Sequence, residues 1–180
     1  MVLWLNGPFG GGKTTTANRI VGRSSLRLFD PEHVGYLLGG HFTDMEFDDF
    51  QDLAPWRSLV PKVMGDIQAF VDADLLAVQS VLVEQYWREL QSGFQTAGLD
   101  VVHVVLSCDE DVLEQRIVGD EVESAAKDWR LDHIATFNSA LEWLEPAAEL
   151  VIDTTHLTPD EVASLVLATT RSHAASFRFQ

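Results

Sequence analysis

The chain has 180 residues and a formal charge of −16, from 12 basic and 28 acidic side chains, an imbalance that argues against binding nucleic acid or an anionic membrane surface. Hydrophobic residues make up 46% of it, which excludes a disordered chain and fits one domain over 1–171 with a tail at 172–180. One cysteine, Cys108, excludes an internal disulfide framework; with no basic-then-apolar leader and no run of membrane-spanning length, the expected location is the cytoplasm.

Val2 to Leu5 is a short apolar run that predicts a buried strand. Asn6 then leads into Gly7-Pro8-Phe9-Gly10-Gly11-Gly12-Lys13-Thr14-Thr15, where Gly7, Gly12, Lys13 and Thr14 fit G-x-x-x-x-G-K-[ST]. Thr15 to Ile20 predict the first turns of a helix, so the motif has the strand and helix it needs. Glycines without side chains let backbone N–H groups close around phosphate oxygens, and the helix start adds its unpaired N–H groups and positive end. Lys13 then reaches the β- and γ-phosphates of ATP, and Thr14 is a ligand for Mg²⁺.

Leu26 to Phe29 predict a second strand ending in Asp30-Pro31-Glu32. Asp30 there can orient a substrate hydroxyl, take its proton or hold a Mg²⁺-bound water; it can equally cap the short helix that Pro31 opens. Glu32 is a second substrate-side carboxylate or a surface residue. Residues 41–55 are acidic and irregular, a loop feeding a helix from Trp56 to Asp72 with Pro61 near its start. Arg57 either binds a substrate anion or pairs with a nearby aspartate.

Leu75 to Gln79 predict a third strand, but no acid follows it; Gln79 and Ser80 can hydrogen-bond substrate without supplying charge. That gap argues against a motor ATPase and favours a small-molecule kinase-like site. A helix is expected over Val81 to Gln95, a central strand over Val101 to Leu106, and a helix from Ser107, with Glu110 closing a capping box. Residues 114–130 are the expected lid, in which Arg116 and Arg130 are candidates to neutralise the transferring phosphoryl group, although Glu121, Glu123 and Asp128 dilute them. Residues 125–144 predict an amphipathic helix that packs internally or against a second subunit, leaving monomer and homodimer both open. His133 reads as a packing residue on it.

Leu150 to Ile152 predict a last strand before Asp153-Thr154, and Thr158-Pro159-Asp160-Glu161 starts a helix running to about Thr170. Together these elements predict an α/β fold of three layers, a parallel sheet of about five strands with helices on both faces. Sites on such sheets lie at the carboxyl ends of the strands, which draws the Gly-rich loop, Asp30, Gln79-Ser80, Ser107 and Asp153-Thr154 to one rim.

The chain also resembles a known family, the tunicamycin resistance (TmrB-like) proteins among the P-loop kinase-like ATPases. The residues that carry this are Leu5 to Ala17, Asp30-Pro31-Glu32 followed by Gly35, Asp48-Asp49-Phe50-Gln51 and Trp56-Arg57. The resemblance implies a P-loop NTPase fold like that of small-molecule kinases, binding of ATP, and protection against a nucleoside-like antibiotic acceptor. It implies nucleotide roles for Gly7, Gly12, Lys13 and Thr14 and an acceptor-side role for Asp30. By fold analogy it also puts Asp153 to Leu157 beside the adenine. Two functions follow: phosphoryl transfer from ATP to an acceptor hydroxyl, or ATP-dependent sequestration of the ligand without transfer.

Overall fold

In the computed structural model, which describes residues 1–177, β1 (Val2–Asn6) is buried along its whole length at the centre of a parallel sheet. It is flanked by β3 (Leu75–Val78) on one side and β4 (Val101–Ser107) on the other. The short edge strands are β2 (Arg27–Phe29), beside β3, and β5 (Leu150–Asp153), beside β4, so the order is β2-β3-β1-β4-β5. Burial on both faces explains why the central strands are aliphatic throughout rather than alternating.

Successive side chains of β1 face opposite layers. Val2 and Trp4 join a core with Trp56, Val60 and Met64 of α3 (Ala54–Val71) and Trp87, Leu90 and Phe94 of α4 (Glu84–Thr96). Leu3 and Leu5 face Ala17 and Ile20 of α1 (Lys13–Val21) and Val162, Ala163 and Val166 of α7 (Pro159–Phe177). This is the three-layer α/β arrangement expected of a P-loop kinase-like fold. Two further helices, α5 (Glu110–Val118) and α6 (Lys127–Ala147), pack through Leu113, Ile117 and Ile134, and α6 also seats Phe137, Ala140 and Leu144 near Val105 of β4. The remaining helix, α2 (Glu32–Gly39), follows β2.

Several boundaries differ from expectation for local reasons. The helix expected from Val81 starts at Glu84, because Asn6 Oδ1 accepts from the Val81 N–H and Asn6 Nδ2 donates to the Val81 carbonyl, holding that segment off the sheet. Ser107 is the last residue of β4 rather than a helix cap; Asp109 precedes α5. Pro61 lies well inside α3. The expected tail is helical as far as Phe177, and 178–180 lie outside the described residues. Thr158 and Glu161 do form the anticipated capping box at the start of α7. Among the described residues no helix is long and apolar enough to cross a membrane.

Candidate active site

The loop between β1 and α1 takes a conformation that its glycines permit. Gly7 has φ +146° and a Cβ there would come within 2.7 Å of the Leu106 carbonyl oxygen. Gly12 has φ +82° with open space where a side chain would go, so it is glycine for its backbone alone. Lys13, at the start of α1, turns back into this ring and donates to the carbonyls of Gly7 at 3.1 Å and Pro8 at 2.7 Å. Desolvation and the neighbouring Arg130 lower its pKa to about 7, against the opposing charge of Glu32. An ammonium so poorly solvated, beside a ring of backbone donors, fits a phosphate group.

The loop forms one wall of a cleft of about 990 Å³. Phe9, Gly10, Gly12, Lys13, Thr14 and Thr15 line it, as the motif predicts, while Gly7, Pro8 and Gly11 lie buried in the loop. Arg116 and Arg130 border the same cleft but are already engaged. Arg116 donates to the Thr154 hydroxyl at 3.1 Å and the Thr154 carbonyl at 2.7 Å. Arg130 is ion-paired to Asp120 at 2.9 Å, and this contact holds the Asp120 carboxyl below its usual range. The expected lid is therefore closed on itself by an internal pair. Trp129 and His133 of α6 stack with centroids 3.9 Å apart beside the Phe9 ring, so His133 packs over the phosphate loop.

The opposite wall is acidic and aromatic: Glu32, Tyr36, Phe47, Asp48, Asp49 and Phe50. Burial, then the charge of Asp30, raises the Glu32 carboxyl; Asp49 and Glu123 push it the same way, against a hydrogen bond from the Tyr36 hydroxyl. Burial likewise raises Asp49, whose two oxygens accept from the backbone and side-chain N–H groups of Gln51. Gln79 closes the floor at 7% exposure, and its Oε1 has no hydrogen-bond partner. A buried acceptor without a protein partner, on a residue that lines the cleft, suits a ligand donor.

Three sequence candidates, Asp30, Arg57 and the Asp153-Thr154 pair, lie outside the residues that line the cleft. Asp30 does not line the cleft; its Oδ1 accepts from the Glu32 N–H at 2.9 Å, the capping role, and Glu32 is the carboxylate presented. Arg57 turns away from the cleft: it pairs with Glu89 at 2.7 Å, donates to the Gln51 carbonyl and lies over the Tyr86 ring. Asp153 is spent on the Thr155 backbone and hydroxyl, and the buried Thr154 donates to the Ser107 carbonyl; neither reaches the cleft. Sequence reasoning placed the acceptor between Asp30 and the segment around residues 48–57, which holds Asp49 and Phe50, without singling out either as a site residue. Asp49 and Phe50 stand in a segment that carried the family resemblance, whereas nothing in the sequence marked Tyr36.

The segments of this wall interlock. The Trp56 indole donates to the Pro31 carbonyl at 3.0 Å, and the Phe50 ring rests on the bare Cα of Gly35. Gln51 Nε2 donates to the Ser80 carbonyl at 2.7 Å, and the Ser80 hydroxyl donates to the Gly7 carbonyl at 2.8 Å, which ties this wall to the phosphate loop. Beneath them Asn6 meets His103 Nε2 at 3.3 Å. The His103 Nδ1–H donates to the Ala147 carbonyl, and burial lowers this histidine to about 4, so it stays a neutral acceptor.

No protein-family model and no curated protein sequence matches the chain. Its fold is found in solved structures. It is similar to the Deinococcus radiodurans tunicamycin resistance protein, at 26% identity and a TM-score of 0.71 over 94% of each chain. A sugar kinase from Janibacter sp. HTCC2649 matches at 20% identity with a TM-score of 0.71 over 94% of each chain. A gluconokinase from Sinorhizobium meliloti 1021 matches at 17% and 0.69, over 99% of this chain and 96% of the other. The chain thus has the P-loop kinase-like fold and is similar, over nearly its whole length, to a tunicamycin resistance protein.

Proposed function

We propose that the protein transfers the γ-phosphoryl group of ATP to a hydroxyl of a small, nucleoside-like or antibiotic acceptor, with tunicamycin the first candidate. The observation that carries this reading is one cleft with a Gly-rich loop and a desolvated Lys13 on one side and carboxylates on the other. The acceptor oxygen bonds to the γ-phosphorus, the bond from that phosphorus to the β–γ bridging oxygen breaks, and ADP leaves. The hydroxyl proton passes to Glu32, whose carboxyl burial raises above its ordinary value and so makes a stronger base. Lys13 and the loop N–H groups hold the charge that builds on the phosphoryl oxygens, and Arg116 and Arg130 border them from the lid.

Mg²⁺ neutralises phosphate charge when bound, and the chain offers it limited ligation. Thr14 lines the cleft, β3 is followed by Gln79 instead of an acid, and no group of three metal-binding side chains gathers among the described residues. The phosphate oxygens and water would supply most of its ligands. That same gap favours a second reading, in which nucleotide-bound protein sequesters the ligand unmodified.

Incubation with ATP, Mg²⁺ and tunicamycin, followed by mass spectrometry, separates the two. Phosphoryl transfer gives a ligand heavier by one phosphoryl group, and Lys13→Ala lowers its rate by about 10²-fold or more. Recovery of unmodified ligand bound to the ATP-loaded protein favours sequestration. Failure of the ligand to bind or change removes tunicamycin, and a rate untouched by Lys13→Ala removes the site.

A further inference from the structure

We propose that the acceptor half of the cleft selects a protonated amine, so that the molecule taken up is an amine-bearing polyol of the amino-sugar class, its nitrogen held between Asp49 and Glu123. The inference rests on the kinase-like reading only in taking the Gly-rich loop as the nucleotide side.

Charge in the cleft is sorted by wall. The basic side chains that line it are Lys13, Arg116 and Arg130, in the phosphate loop and lid, and the two arginines already bind Thr154 and Asp120. The facing wall and the lid tip above it present Glu32, Asp48, Asp49 and Glu123, and no lysine or arginine lines that part. Arg57, the nearest sequence candidate for an anion clamp, is consumed by Glu89. An anionic acceptor would meet these carboxylates and the ATP phosphates with no cation of its own, whereas an ammonium relieves their repulsion. Glu32, Asp49 and Glu123 all line this one cleft.

A second observation points to a ligand there. The Gln79 side chain is buried at 7% exposure, lines the cleft and leaves Oε1 without a partner, a seat for a hydroxyl or N–H donor. Tyr36 and Phe50, edge to face at 5.1 Å, add apolar surface suited to the C–H face of a sugar ring. With the nitrogen kept protonated it has no lone pair to attack phosphorus. A hydroxyl is then the nucleophile: its oxygen joins the γ-phosphorus, the β–γ bridge breaks, and its proton goes to Glu32.

The test is calorimetric titration of glucosamine, N-acetylglucosamine and gluconate into protein saturated with Mg²⁺ and a non-hydrolysable ATP analogue, and into protein alone. Glucosamine is expected to bind at least about tenfold more tightly than its neutral N-acetyl form, with gluconate weakest. Asp49→Asn, which keeps an oxygen for the Gln51 N–H, and Glu123→Gln each erase most of that preference, and Asp49→Glu retains it. Gluconate binding as well as glucosamine overturns the proposal. So does a preference unchanged in both neutral variants, or an absence of glucosamine binding while the analogue binds. Glucosamine that binds with this pattern but gains no phosphoryl group from ATP overturns the transferase reading and leaves the amine site standing.

Discussion

Lys13 is held where its charge is expensive until a phosphate arrives. Its pKa of about 7, against 10.5 for a free side chain, means that the unfolded chain binds the extra proton between those values. Stability from this group therefore rises as pH climbs from about 7 to 10.5, and Lys13→Met flattens that slope in urea unfolding. Nucleotide works in the opposite direction, since phosphate restores the charged form. ATP binding at pH 8 to 9 should take up close to one proton, and affinity should fall as pH rises above about 7. Calorimetry in buffers with different ionisation heats reads this directly; heats that do not depend on the buffer would refute it. Asp30 and Arg57 teach the converse. Their residue types suited a site, but backbone geometry claimed one for a cap and a neighbouring helix claimed the other for an ion pair.

Among elements, the acceptor wall is built by contacts between its own segments: α2 under Phe50, Pro31 under Trp56, Gln51 against Ser80. Gly35 is the tightest point, because a methyl group there would overlap the Phe50 ring. Gly35→Ala is expected to cost about 1 to 3 kcal/mol in urea unfolding through overpacking. It should weaken acceptor binding while ATP affinity stays within about twofold, since the phosphate loop belongs to other elements. A stability unchanged by the methyl group would show that Phe50 moves aside freely. Elements were also where sequence pattern erred most. A one-dimensional pattern does not show that the Asn6 side chain takes both backbone groups of Val81, and that pairing decides where α4 begins.

For the whole molecule, a formal charge of −16 makes self-repulsion a standing cost of compactness. Raising salt from about 0.01 M to about 1 M shrinks the screening length from about 30 Å to about 3 Å. The melting temperature without nucleotide should rise across that range, and a fall would mean that local pairs such as Arg130–Asp120 outweigh the global field. The parallel sheet was legible because its central strands, β1 and β4, are short aliphatic runs, and the phosphate loop because its spacing serves one geometry. The acceptor wall was not legible as a wall. Its residues come from two short stretches, 32–36 and 47–50, and only the folded chain shows Glu32 and Asp49 lining one cleft.

The hydrogen bond from Ser80 to Gly7 joins the two modules of the cleft. One is the Gly-rich loop; the other is a scaffold braced by Phe50 on Gly35, Gln51 on Ser80 and Trp56 on Pro31, which presents the side chains at 32, 36 and 48 to the cleft. A chain built this way can exchange its acceptor by point substitution on that scaffold while its engine is inherited intact.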